Sequence, residues 1–344
     1  MLLTCREKCY NKEMKILENV LLKNLTTMRL GGPARYVIEI ESPEEIKVAY
    51  EFALKKDLPI FVLGGGANTI AKDEGFNGVI VKNTIQNITI NNNKITAMGG
   101  TEWDAVVAFA CEKGLTGIEA LSKIPGLAGA APVQNIGAYG QELLDTFLSA
   151  EVYDFKEKTF KTLQKSDLNF SYRHSILNTT EKNRYFVISI TLELKKGEMP
   201  RPFYASMEKY IAENDCTDFS PAGIRDIVSK IRAYKLPDPA KIPSAGSFFK
   251  NIYLTKAEAD EAEANGIPVY YSRNQYSINS GWLIEQAGLK GQLLHGMRVS
   301  DKAALILINE SAKGYNDLAQ ARAEIIKIVE EKFGYKLEQE PVEL

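Results

Sequence analysis

Apolar positions recur along this chain with two periods, near two and near three to four residues, and the switches between them mark its elements. Residues 36–40 and 59–63 read as the strands of a strand–helix–strand unit, whose crossover is expected to be right-handed. Between them, Ser42, Pro43 and Glu45 supply an N-cap, a proline at the first helical position and a capping-box carboxylate. Ile46, Ala49, Tyr50 and Ala53 form the buried face of that helix. Short strands over 79–81, 88–90 and 95–98 lead into a helix over 102–111, and residues 147–155 and 187–194 alternate as strands do. Ahead of all this, Ile16, Leu17, Val20 and Leu21 stand at helical spacing and predict a short helix over 13–23, followed by a loop over 24–33.

A composition shift at Lys195, Lys196 and Gly197 opens a region poorer in strand signals, read as a second domain over 200–330. One helix is capped by Ser220 and Pro221 and carries Ile224, Ile227, Val228 and Ile231 on one face. Another starts on the box Thr255/Glu258 and ends at Gly266, residues 304–309 form a strand, and a long helix over 317–333 stops at Gly334.

With 344 residues and 45% hydrophobic side chains, the chain can bury two or three domain cores of about 150 residues each. A formal charge of -2 carries no basic bias, so no nucleic-acid partner is expected. Neither a signal-peptide core nor an apolar run of about 20 residues is present, which predicts a cytoplasmic protein without a membrane span. Cys5 and Cys9 are one helical turn apart, but the two histidines, His174 and His295, lie far along the chain, so no metal is expected. The same scarcity of histidine argues against a Ser-His-Asp hydrolase.

One stretch is not built like an ordinary core. Residues 121–143 read LSKIPGLAGAAPVQNIGAYGQEL; from Gly126 to Gly140 they hold four glycines, four alanines and the amides Gln134 and Asn135, with no charged side chain. Such a run suits close backbone approach, either to an anionic ligand whose oxygens take N–H donors or between packed layers of structure. A glycine cluster, Gly64–Gly65–Gly66, ends the 59–63 strand where α/β proteins hold phosphates, although it fits neither a dinucleotide fingerprint nor a P-loop and could equally be a plain turn. Two further clusters are polar: Tyr172, Arg173 and His174, and Arg232 to Pro239 followed by Ser244 to Asn251.

In this order, LGGGANTI, IPGLAGAAPVQNIGAYGQEL, FSYRHS, KLPDP, AGSFFKN and GWLIEQAGLKG resemble the UDP-N-acetylenolpyruvoylglucosamine reductase family over about residues 24–340. The resemblance implies an α+β protein with the FAD-binding fold of the vanillyl-alcohol-oxidase type plus a smaller substrate domain. It divides the chain into an N-terminal extension (1–23), FAD-binding subdomains (24–84 and 85–199), a substrate-binding domain (200–330) and a C-terminal segment (331–344) returning to the active site. Gly64, Gly65, Gly66, Ala67, Asn68 and Thr69, with Gly126, Gly129, Ala130, Gln134, Asn135, Gly137, Ala138 and Tyr139, would wrap FAD, backbone donors meeting its pyrophosphate. Ala67 stands where the family usually has serine.

The implied reaction uses NADPH and bound FAD to reduce UDP-N-acetylglucosamine enolpyruvate to UDP-N-acetylmuramate, a peptidoglycan precursor. Hydride passes from the flavin to the enolpyruvyl β-carbon and a proton to the α-carbon. NADPH would use the substrate pocket in turn, giving ping-pong kinetics. Arg173 is the expected carboxylate-binding residue, since its forked donors match a developing enolate, and Ser247 the expected proton donor. The third catalytic residue is a glutamate near the C-terminus, placed at Glu340, with Glu338 and Glu343 as alternatives of register. Tyr172, Tyr204, Arg232, Lys235 and Asn251 are expected at the substrate, Tyr204 from a loop closing over the diphosphate. A monomer or weak oligomer is expected. Competing readings are a related flavin oxidase or dehydrogenase with another substrate, and a non-catalytic flavin- or nucleotide-sugar-binding regulator.

Overall fold

The computed structural model describes residues 14–344 and the two-residue strand Leu3–Thr4. Cys5 and Cys9 lie outside the described residues. Two compact units account for the chain.

The first unit comprises residues 1–20, 34–65 and 76–233 and carries two five-stranded sheets. In one, Pro33–Ile40 and Ile60–Leu63 flank Phe76–Asn83, both running parallel to it. The two strands joined by helix α1 (Glu45–Lys55) are therefore separated by a third strand, which the local pattern did not reveal. Lys15–Leu21 borders Pro33–Ile40 in the same sheet. It is a strand, not the helix expected over 13–23: of Ile16, Leu17, Val20 and Leu21 only Ile16 is buried, Asn19 is left-handed (φ 54°), and sheet pairing overrode a four-residue helical spacing. The capping box at Ser42 also fails to form. Helix α1 starts at Glu45, whose carboxylate accepts the Glu41 N–H at 2.7 Å, one residue earlier than the box requires.

The other sheet is antiparallel, in the order Thr159–Gln164, Phe147–Asp154, Tyr185–Glu193, Lys94–Met98, Ile88–Asn91. Helix α2 (Trp103–Glu112) buries Trp103, Val106, Val107 and Ala110 with Ile190 and Leu192 of this sheet in one apolar cluster. The two sheets share a second cluster in which Ile38, Val79 and Val81 meet Tyr153, Phe186 and Ile188. Helices α3 (Ala205–Glu213) and α4 (Pro221–Lys235) pack Met207, Ile224, Ile227, Val228 and Ile231 around Ala120, so this unit extends past the composition shift at 195–197. Pro221 opens α4 and the Ser220 hydroxyl accepts the Gly223 N–H at 3.2 Å, as the sequence predicts.

The second unit comprises residues 21–33, 66–75 and 234–344. Ser244–Ser247, Ile306–Asn309, Met297–Val299 and Leu293–Leu294 form an antiparallel sheet in that order, and Ile252–Leu254, Gln275–Ile278 and Val269–Ser272 form a smaller one. Helix α5 (Lys256–Ala264) has the predicted reciprocal box between Thr255 and Glu258, and α6 (Ser280–Gln286) is capped by Asn279. Helix α7 (Tyr315–Phe333) buries Leu318, Ala321, Ile325 and Val329 and ends at Gly334 in the left-handed conformation (φ 76°). No helix among the described residues is long and apolar enough to cross a membrane.

Candidate active site

The small-residue stretch is neither wholly a ligand cradle nor wholly a packed turn. Its first half is packed. The N–H groups of Ala128 and Gly129 donate to the carbonyls of Thr101 (2.8 Å) and Gly99 (2.9 Å). Those of Ala130, Ala131 and Val133 close local turns. A Cβ added to Gly129 would come within 3.0 Å of Gly99, so this glycine answers to backbone packing. These five donors are already used, and any anion must be met by other amides of the stretch.

Open backbone remains where the segment meets the 59–63 strand end. A Cβ on Gly65 would stand 3.1 Å from Gly126 Cα, and one on Gly64 3.0 Å from the Ala130 side chain, so the two glycine loops converge in the first unit. On Gly126 (φ 121°) or Gly140 (φ 85°) a Cβ would meet nothing within 4 Å. Apposed glycine loops with no side chains between them leave room for a flat group to lie against their backbone. Gly66 to Thr69 belong to the second unit: Gly66 (φ 67°) packs on the Leu25 carbonyl, Asn68 accepts the Val342 N–H, and Thr69 pairs with Val342.

The second half of the stretch carries the FSYRHS turn. Ser171 and His174 exchange both backbone hydrogen bonds at 3.1 Å, leaving Tyr172 and Arg173 at the tip. Three bonds dock this turn on 133–142. The Ser175 hydroxyl donates to the Val133 carbonyl (2.7 Å), the Asn135 amide to the Ser171 carbonyl (3.0 Å), and Arg173 Nη2 to the Gly137 carbonyl (2.9 Å). Arg173 is left-handed (φ 54°), a conformation costing a branched or bulky residue on the order of 1 kcal/mol; the Asn178 amide, donating to its carbonyl at 3.0 Å, helps hold it. Its guanidinium lies 5.0 Å from the Tyr172 ring centre.

Asn135 plays a different part from the one its sequence context suggested. It is fully buried, with its amide nitrogen on Glu142 (2.9 Å) and Ser171 and its oxygen on the Leu144 N–H (2.9 Å). Its side chain shapes the turn, with both amide N–H donors spent within the protein and the residue closed off from solvent. Ser175, Asn178 and Glu142 were not singled out from the sequence at all. Ser175 and Asn178 form a capping box over residues 175–178, a pattern that could have been read.

Tyr139, left-handed at φ 47°, extends the cluster. Its ring stands edge-on to Tyr204 at 6.0 Å, and its hydroxyl shares a hydrogen bond with Arg232 of α4. Burial pushes the Tyr139 hydroxyl up, with Arg232 opposing. Burial lowers the Arg232 guanidinium, Tyr139 counters this, and the nearby Arg173 charge lowers it further. Arg232 Nε is buried without a partner. Helix α4 is locked to α2 by Arg225, whose Nη1 and Nη2 both reach Asp104 (2.6 and 2.9 Å), so Arg232 is carried on a fixed helix. Ala138 and Gln134 lie in this same hairpin region, half-buried.

In the second unit, Ser247 ends the strand Ser244–Ser247 opposite Ile306, after Gly246 at φ 70°. The C-terminal chain runs beside it: Glu340 N–H donates to the Phe248 carbonyl (2.9 Å), Lys250 N–H to the Glu338 carbonyl (2.8 Å), and Phe249 bridges Gln339. The three glutamates therefore differ in setting. Glu338 is exposed and paired with Lys250, Glu343 is held by Arg322 and Tyr315, and Glu340 adjoins Ser247–Phe248. Lys235 closes α4, and Asn251 accepts the Ser280 N–H at the start of α6 (3.3 Å). No cluster of metal-ligating side chains occurs among the described residues.

Residues 34–162 match the family model of an FAD binding domain. Residues 238–344 match that of the UDP-N-acetylenolpyruvoylglucosamine reductase C-terminal domain. The UDP-N-acetylenolpyruvoylglucosamine reductase of Ralstonia nicotianae is 35% identical over 327 residues, spanning 92% of this chain and 95% of the relative. That of Shewanella baltica is 34% identical, spanning 93% and 94%. The crystal structure of UDP-N-acetylenolpyruvylglucosamine reductase from Thermus caldophilus aligns with a TM-score of 0.67 at 26% identity, over 96% of this chain and 99% of that one. Fold and site together define an FAD-dependent oxidoreductase with the flavin-binding fold of the vanillyl-alcohol-oxidase type. The α+β class expected from the sequence is the one observed. Within that class, the chain belongs to the UDP-N-acetylenolpyruvoylglucosamine reductase family.

Proposed function

We propose that this protein reduces UDP-N-acetylglucosamine enolpyruvate to UDP-N-acetylmuramate, the reductive step of peptidoglycan precursor synthesis, with NADPH as the electron donor. The observation that carries this reading is the pair of guanidinium groups in the first unit. Arg173 is pinned across the Gly137 carbonyl, and Arg232, whose field it shares, keeps a buried Nε without a partner. Two cations brought within mutual repulsion, one of them with a buried donor unpaired, are costly unless an anion joins them.

FAD, when bound, supplies the two-electron hydride chemistry. The protein's share is to handle charge and the proton. Net addition of hydride at the β-carbon of the enolpyruvyl group drives the π electrons to the α-carbon and into the carboxylate, forming an enolate. Arg173 stabilises that growing charge with forked donors. Ser247 gives its hydroxyl proton to the α-carbon and regains one from solvent, and Glu340, on the chain next to Ser247, sets the polarity around that hydroxyl. Tyr172, Tyr204, Arg232, Lys235 and Asn251 hold the substrate, Tyr204 being a half-exposed ring at the start of α3 (49% exposed). Gly64 to Thr69 and the backbone around Gly126 and Gly140 seat the cofactor. The cytoplasm, where nucleotide sugars and NADPH occur together, is the compartment this reaction requires.

The test is the flavin absorbance of the purified protein, bleached anaerobically with NADPH and then mixed with UDP-N-acetylglucosamine enolpyruvate. Prompt return of the oxidised band is expected. A flavin that NADPH reduces but this enol ether does not reoxidise would assign the protein to another substrate.

A further inference from the structure

We propose that Arg322 and Tyr315 of α7 are positioning residues that grip the chain on both sides of Glu340 and hold its carboxylate at the Ser247 strand. The inference rests on the role given to Glu340 above.

The chain around Glu340 changes partners within a few residues. Residues 338–340 run beside 248–250, whereas 342–344 run beside 68–72: Val342 N–H donates to Asn68 (2.9 Å), Leu344 N–H to Ile70 (2.9 Å) and Lys72 N–H to Leu344 (3.3 Å). Pro341 is the joint and has no N–H to donate. Backbone bonds hold the chain on both sides of Pro341 but to two different partners, so the joint between them is left to side chains to fix.

They do so on one face. Gln339 and Glu343, on either side of the bend at Pro341, both turn toward α7. Arg322 Nη1 donates to Gln339 Oε1 at 2.6 Å and to Glu343 Oε1, and the Tyr315 hydroxyl donates to the same Glu343 oxygen at 2.8 Å. The Gln339 amide then turns back on the Pro341 carbonyl at 2.7 Å, closing a loop of bonds around the joint. One guanidinium nitrogen thus ties the residue before Glu340 to one three places after it.

The anchor is rigid. Helix α7 is rooted by Leu318, Ala321, Ile325 and Val329, all fully buried, and its first turn is fixed by the Asp73 carboxylate, which accepts the Tyr315 N–H (2.9 and 2.8 Å). Groups that act in proton transfer need placement to about 0.5 Å, and this clamp supplies it without touching substrate.

The test uses Arg322→Ala, Arg322→Lys, Tyr315→Phe and Glu340→Gln in the full-length holoprotein, with the two half-reactions followed separately. Arg322→Ala should keep its flavin and be reduced by NADPH within about twofold of the parent, while reoxidation by UDP-N-acetylglucosamine enolpyruvate slows about 10- to 100-fold. Arg322→Lys should recover part of the loss, since a single nitrogen serves both acceptors, and Tyr315→Phe should slow the same half-reaction by a smaller factor. Parent-like reoxidation in Arg322→Ala alongside a slow Glu340→Gln would overturn the clamp alone. Parent-like reoxidation in Glu340→Gln would remove the role of Glu340 and the clamp with it. Equal loss of both half-reactions in Arg322→Ala, with no rescue by lysine, would reduce Arg322 to a general stabiliser and also overturn the proposal.

Discussion

Arg173 lies across Gly137 so closely that no other residue type could occupy position 137 without moving it. Nη2 donates to the Gly137 carbonyl at 2.9 Å, and a Cβ there would stand 3.1 Å from Nη1 and 2.8 Å from the Glu142 side chain. The glycine of this turn therefore serves an arginine thirty-six residues later as much as it serves the backbone.

Gly137→Ala follows from this contact. Both side chains that would collide are flexible, so stability should fall by only about 1 kcal/mol, while the displaced guanidinium should slow substrate-driven flavin reoxidation about tenfold or more. Stopped-flow absorbance with a parallel thermal melt would separate the two; an unstable protein with an intact rate would contradict the account.

Ser247→Ala should leave flavin content and reduction by NADPH intact and nearly abolish reoxidation by the enol ether. Rapid-mixing measurement of each half-reaction decides it. Equal loss in both would rule out the proton-donor role.

Asn135→Ala removes three partly buried hydrogen bonds at once, strands the Leu144 N–H, and places alanine at φ 44°. A loss of about 2–4 kcal/mol in urea unfolding is expected. A change below about 0.5 kcal/mol would show that the amide is not the keystone of the turn.

Stability should depend on pH through Asp104. Burial raises its pKa, but the hydrogen bonds from Arg225 and Lys123 outweigh burial and hold the carboxyl well below the usual range. The folded value thus lies under the unfolded value of about 3.9, so this contribution is complete above about pH 5 and disappears as pH falls through the folded value. Asp104→Asn should cost about 1–2 kcal/mol, equally at pH 6 and pH 8, since the site is only partly shielded. The difference from the parent should narrow below pH 4; a gap that widens there would reverse the sign of the argument.

Local chemistry made much of this legible. The cap at Ser220–Pro221, the box Thr255–Glu258, the stop at Gly334 and the helical face Ile224–Ile231 all appear as read, because each rests on contacts within one turn. The 13–23 segment did not, because a strand edge is satisfied by a neighbouring strand, Pro33–Ile40, which periodicity within the segment cannot register. Neither could spacing show that Asn135 spends its amide on Ser171 and Leu144, nor that Gly129 packs on Gly99.

What the sequence determined by itself were most of the elements, the glycine-rich stretch and the family those motifs identify, since short-range sterics and capping act between near neighbours. Tertiary structure alone decided which glycines face open space and which face backbone, how Arg173 and Arg232 come to share one field, and which of three closely spaced glutamates adjoins Ser247. Those outcomes depend on hydrogen bonds between residues far apart in the chain, whose donors and acceptors carry no mark of their partners until folding brings them together.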